Sequence, residues 1–134
     1  MTYRFSKTSL DNLVGVHPKL VEIVHRTLEA GVMDFRVVEG LRSVETQKSY
    51  VAKGVSKTMN SKHLKQADSY SHAVDLYPYP IDMKAVNAGR VQEIAKFGVL
   101  AGVLLKIAKE EGVNITWGGH WKSFFDAPHF QIEI

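Results

Sequence analysis

Residues 90–112, RVQEIAKFGVLAGVLLKIAKEEG, carry the longest helical pattern in the chain, and no other segment limits the fold as strongly. Ile94, Ala95, Gly98, Ala101, Leu105 and Ala108 share one face at helical spacing, and the segment is apolar enough to serve as the central core helix. The other elements must pack against it. With 134 residues, 45% of them hydrophobic and 23% charged, the chain can build one core, and residues 1–134 are expected to form a single compact domain.

Around that helix the sequence has an α+β order. HPKLVEIVHRTLEAG, residues 17–31, places Leu20, Ile23, Val24, Thr27 and Leu28 on one stripe, with Pro18 at its start and Gly31 at its end. MDFRVVEG, residues 33–40, is rich in β-branched and aromatic residues and predicts a strand. A helix is expected from Val44 to Lys53, closed by Gly54. Residues 55–71 then form a long polar loop, of the kind that often carries function, before a strand at AVDLYPY that Pro78 and Pro80 end. VNITWGG, an aromatic turn HWKSFFDAP and a last strand HFQIEI complete the chain. The expected fold is a small antiparallel sheet with helices packed on one side.

Composition removes several function classes. Cysteine is absent, so any transition metal must be held by His, Asp or Glu. The net charge is +3, but the lysines are spread along the chain and form neither a basic stripe nor an aromatic RNA-binding motif, which speaks against nucleic acid. The first residues, MTYRFSKTSLDNLVGV, show no basic region followed by an apolar run, and no segment nears the ~18 apolar residues of a membrane span. A soluble chain made in the cytoplasm without a signal peptide, and with no stable membrane association, is expected.

The chemistry concentrates in SKHLKQADSYSHAVDLYPYP, residues 61–80, and at the C-terminus. In a strand starting near residue 72, Asp75 shares a face with Ala73 and Tyr77, whereas His72, Val74 and Leu76 point the other way. His72 is then a poor partner for Asp75, and His63, in the preceding loop, can fold back onto the Asp75 face. In the last strand His129, Gln131 and Glu133 share a face. Two histidines and one carboxylate with a fourth position open are what a catalytic zinc site needs. Each residue also has a plain alternative. Asp126 could cap the turn before Pro128, Arg42 could form a surface salt bridge and Gln47 could be a solvated helix position. Trp117, Trp121, Phe124 and Phe125 could line a groove, although aromatic residues at this density are more often core.

These residues resemble a known family. SKH followed by SHAVDL is similar to the Ser-x-His…Ala-x-Asp signature of the VanY-like zinc peptidases, which include D-alanyl-D-alanine carboxypeptidases and phage L-alanyl-D-glutamate endolysins. DAPHF resembles their Asp-x-x-His, GLRSVETQKSYVAKG their Arg-Ser-x-x-x-Gln helix start, and WGGHWKSFFDAPHF the end of phage endolysins. The chain departs from the pattern in two ways. KQADS looks like an insertion, with Ser71 at the usual glycine, which keeps His72 as a rival ligand, and His120 stands where relatives often carry an acidic residue.

The resemblance implies a hedgehog/D-Ala-D-Ala peptidase-like fold and one zinc ion per chain held by His63, Asp75 and His129. It implies Asp126 as general base, Arg42 facing the substrate carboxylate or developing oxyanion, and Ser61 in support. Gln47 and His120 are weaker candidates for support or substrate contact. The implied activity is cleavage of the L-alanyl-D-glutamate bond of the bacterial peptidoglycan stem peptide, by a monomer released through a holin to act in the periplasm and cell wall. The alternative is a D-alanyl-D-alanine carboxypeptidase. A noncatalytic module of hedgehog type is disfavoured by Asp126 and the open fourth position.

Overall fold

The computed structural model describes residues 2–134. Side-chain caps open several of the helices. Ser6 Oγ accepts from the Ser9 N–H to open α1 (Lys7–Leu13), and His17 Nδ1 accepts from the Lys19 N–H to open α2 (Pro18–Glu29). β1 (Phe35–Glu39) follows, then α3 (Val44–Ala52), capped by Ser43 and stopped at Gly54, whose φ of 75° suits glycine. After the long loop come β2 (Ala73–Pro78), the short α4 (Met83–Asn87), α5 (Val91–Glu110), β3 (Ile115–Trp117), one 3₁₀ turn (Gly118–His120) and β4 (His129–Ile132).

The four strands form one antiparallel sheet in the order β1-β2-β4-β3. Phe35, Val37, Val74, Leu76, Phe130 and Ile132 project from one face and pack with the buried stripes of α2 and α5. The α2 stripe is the expected set, Leu20, Ile23, Val24, Thr27 and Leu28. The α5 stripe differs from expectation. Ala101 and Ala108 are buried, but their companions are Phe97, Leu100 and Leu104, while Ala95 and Gly98 face solvent and Ile94 and Leu105 are half-buried. Apolar residues surround this helix on most sides, so spacing alone does not select its inner face. Turning Phe and Leu inward removes more apolar surface from water than burying Gly and Ala would.

The helix α1, which has no strong sequence signal, covers the free edge of β1. Ser9 Oγ accepts from the Val37 N–H at 3.1 Å, and Asn12 Nδ2 donates to the Val37 carbonyl at 2.9 Å. Backbone groups that would otherwise form an open edge are thereby satisfied. The register of β1 against β2 shifts between Val37 and Glu39, so Glu39 lies opposite Asp75. This bulge turns Glu39 toward the sheet face away from α2 and α5.

Just past it, Gly40 passes so close to α1 that a Cβ there would collide with the Asn12 carbonyl and Val16 Cγ2. Gly40→Ala should therefore lower the urea midpoint, with a loss of about 1–3 kcal/mol. A midpoint equal to that of the parent would show that α1 yields freely.

Candidate functional site

Asp75 and His129 are direct cross-strand partners in β2 and β4, on the face opposite the helical core. Antiparallel pairing alone brings His129 Nδ1 to 3.4 Å from Asp75 Oδ1. His63 comes from the loop and is held by backbone bonds. Its carbonyl accepts from the Arg42 N–H at 2.9 Å, and its N–H donates to Ser61 Oγ at 3.1 Å. His63 Nε2 thereby lies 3.1 Å from Asp75 Oδ1. The three side chains offer ligand atoms that all lie within 4.8 Å of one another.

The outer ring nitrogens set the tautomers. His63 Nδ1 lies 2.8 Å from the Gly40 carbonyl, which can only accept, so this nitrogen carries the proton and Nε2 is free to ligate. His129 Nε2 lies 2.8 Å from Gln131 Oε1, and Gln131 Nε2 donates to Glu133 Oε1 at 2.7 Å. His129 Nδ1 therefore also offers its lone pair to the centre. A tetrahedral ion with ligand bonds of about 2.0–2.1 Å has ligand-to-ligand edges of about 3.3–3.4 Å, close to the separations of 3.1 and 3.4 Å found here. These residues could hold a metal ion.

The electrostatics agree. Burial opposes ionisation of Asp75, but bonds from His129 and His63 outweigh it and hold the carboxyl well below the usual range. Burial likewise opposes charging His129, yet the Asp75 bond and charge, helped by Gln131, raise its pKa. Asp126 behaves oppositely to Asp75: burial and then the Asp75 charge push its pKa up.

Asp126 is placed by its backbone. Its N–H donates to the Gly118 carbonyl at 3.0 Å, its carbonyl accepts from the His129 N–H at 3.2 Å, and Trp117 Nε1 donates to the neighbouring Ala127 carbonyl at 2.6 Å. Gly118 allows this approach, since a Cβ there would strike the Asp126 carbonyl.

The other candidate residues lie around the centre or outside it. His72 is outside the centre, with Nε2 2.8 Å from Oδ2 of Asp68, a residue of the KQADS stretch. His120 is exposed, stacks edge-on against Trp117 at 4.9 Å between centroids, and does not line the cavity. Gln47 is fully buried and not solvated: Oε1 accepts from Arg42 Nη1 at 2.6 Å, and Nε2 donates to Ser56 Oγ at 2.9 Å and to the Thr58 carbonyl. Arg42 is not at the free surface either. It is ion-paired with Glu39, bonded to Gln47 and Ser61, and lies over the Tyr50 ring at 4.6 Å. Tyr50 in turn donates to Glu39 Oε2 at 2.8 Å.

The centre opens into a cavity of about 900 Å³. Loop 55–62 forms one side, and Trp121, Phe124, Phe125 and Asp126 the other, so three of the four aromatics lie at the cavity and only Trp117 packs against the core. Sequence reading missed Glu39, Tyr50 and the tautomer-setting groups Gly40, Gln131 and Glu133. The shared face of His129, Gln131 and Glu133 was the available signal for two of these, whereas Glu39 reaches the site only through the bulge.

A family described as phage L-alanyl-D-glutamate peptidase matches residues 1–133. The L-alanyl-D-glutamate peptidase of Escherichia phage T5 is 28% identical over 131 residues, covering 94% of this chain and 87% of that protein. The peptidase of the same name from Listeria phage A118 is 29% identical over 104 residues, 78% of this chain but 32% of that longer protein. Among solved structures, the Serratia marcescens L-Ala D-Glu endopeptidase ChiX superposes with a TM-score of 0.78 at 36% identity, covering 98% of this chain and 90% of that one. Matched along nearly its whole length and built on the same fold, the chain belongs to the phage L-alanyl-D-glutamate peptidase family.

Proposed function

We propose that this chain is a zinc-dependent endopeptidase that hydrolyses the L-alanyl-D-glutamate bond of the peptidoglycan stem peptide. The carrying observation is the convergence of His63, Asp75 and His129 beside Asp126 at one cavity. Two imidazoles and a carboxylate, with no thiolate available, are a donor set that suits zinc. When bound, zinc would supply Lewis acidity to the scissile carbonyl and to water.

The protein's own groups do the rest. Asp126 takes the proton released as water adds to the carbonyl and returns it to the departing D-glutamate amine. Burial raises its pKa, so it takes up a proton more readily than an exposed carboxylate would. Arg42, clamped by Glu39, Gln47 and Ser61, fixes the loop that presents His63 and keeps a guanidinium at the cavity wall. No helix of the described residues is long and apolar enough to cross a membrane. We place the action of a monomer in the cell wall, after holin-type release from the cytoplasm.

Digestion of a synthetic stem peptide tests the reaction. A new amine on D-glutamate is the expected product, and release of free D-alanine alone would replace this reading with a carboxypeptidase. In the same assay Asp126→Asn should keep its metal and lose about 100-fold or more in kcat.

Elemental analysis should find one zinc per chain, lost in His63→Ala and His129→Ala and kept in His72→Ala. Gln131→Leu, which removes the acceptor for His129 Nε2, should weaken metal affinity about 10- to 100-fold. Unchanged affinity would show that Gln131 does not orient its neighbour.

Stability of the metal-free protein should depend on pH through two groups. The raised His129 pKa gives stability that is full below its unfolded value of about 6.5 and is lost as pH rises through the folded value. The depressed Asp75 pKa gives stability present above about 3.9 and lost as pH falls through its folded value. Between pH 6 and 8 the melting temperature in chelator should therefore fall. With zinc the increment should grow over the same range, because the ion needs neutral imidazoles. A metal-free melting temperature that rises over this range would contradict the assignment.

A further inference from the structure

Three cationic side chains line the cavity, Arg42, Lys57 and Lys62, together with the carboxylates of Glu39, Asp75 and Asp126. An anionic substrate group outside the metal centre therefore meets the Glu39 and Asp126 carboxylates on the cavity wall and needs a cation that is free to pair with it. Arg42 is largely engaged. Nε and Nη2 bond to Glu39, and Nη1 bonds to Gln47 at 2.6 Å and Ser61 at 3.5 Å. A carboxylate arriving at Arg42 would also confront Glu39. Among the described residues, neither lysine has a carboxylate within ion-pair distance.

The two lysines are not equivalent. Lys57 lies between Ser56 and Thr58, both of which are bound by the side-chain amide of the fully buried Gln47. Its backbone is thus fixed to the interior although its side chain is exposed. From that anchor Nζ lies over the Phe124 ring at 5.5 Å, so it bridges the two loops that face each other across the cavity. Lys62 sits between Ser61 and His63, and its carbonyl accepts from the His72 N–H, with no comparable contact to the opposite loop.

We propose that Lys57 is a specificity-determining residue whose ammonium holds the free α-carboxylate of the D-glutamate on the leaving side of the scissile bond. This rests on the endopeptidase reading. In a stem peptide the D-glutamate continues through its γ-carboxyl, so its α-carboxylate stays ionised on the carbon that bears the scissile nitrogen. Pairing with Lys57 would orient that nitrogen toward the centre, and a charge-assisted hydrogen bond would favour the carboxylate over an uncharged analogue. Phe124 shields the ammonium on one side and leaves its other donors for the substrate.

The test uses two synthetic stem peptides that differ only in an α-carboxylate or α-carboxamide on D-glutamate, with zinc-loaded protein. The parent should prefer the carboxylate, and Lys57→Gln should raise its KM by about tenfold while changing the carboxamide KM less than about twofold. Lys57→Arg should keep most of the preference. Because Lys57 is exposed, these variants should melt like the parent, and kcat should move little. Equal effects of Lys57→Gln on both peptides, or loss of the preference in Lys62→Gln instead, would overturn the proposal. If the parent cuts both peptides after L-alanine without preference, the endopeptidase reading stands and the role of Lys57 falls. If it cuts neither peptide at that bond, both fall.

Discussion

The ionised carboxylate of Asp75, held between two buried imidazoles, is the interaction on which the rest of the site depends. A half-buried carboxylate stays ionised only when charge or hydrogen bonds compensate its lost hydration. Here the compensation comes from two directions. The sheet supplies His129 by cross-strand pairing, and the loop supplies His63, whose carbonyl accepts from the Arg42 N–H and whose Nδ1 donates to the Gly40 carbonyl. The same field that draws protons would hold a divalent cation more strongly, since a cation satisfies all three groups at once.

Loop 55–62 gains order from a second, half-buried charge network. Glu39, turned by the β1 bulge onto the face that carries Asp75, accepts from Arg42 and Tyr50, and Arg42 in turn bonds to Gln47 and Ser61. Gln47 then fixes Ser56 and Thr58. A long polar loop with few apolar contacts would otherwise be among the least stable parts of a domain. Although Arg42 lies at the cavity wall, its fork is matched to a carboxylate of the protein itself.

On the opposite wall, small-residue sterics do the positioning. Gly118 allows the Asp126 carbonyl to pack against the 3₁₀ turn, and Trp117 is bound to the Ala127 carbonyl while stacking on Phe130. The candidate base is thus tied to the core through backbone groups and keeps its side chain free. Its environment differs from that of Asp75 in one respect that matters. Asp75 has two imidazole partners and stays ionised, whereas Asp126 feels burial and the Asp75 charge and holds a proton more readily.

Much of this was legible in the sequence because it rests on short periods. Strand alternation put Asp75 and His129 on polar faces and turned His72 away, the 3.6-residue repeat found the whole α2 stripe, and Gly54 marked the end of α3. What was not legible depends on residues far apart in sequence. The inner face of α5 was decided by which large side chains the sheet and α2 could accept, because its own pattern is apolar on most sides. Gln47 read equally well as a solvated helix position, since nothing local announces a buried partner, and the pairing of Arg42 with Glu39 was not legible because it depends on the bulge. Backbone alternation and capping are local and can be read in order along the chain. Charge pairing, burial and cavity shape belong to the sum of long-range contacts, and only the tertiary structure decides them.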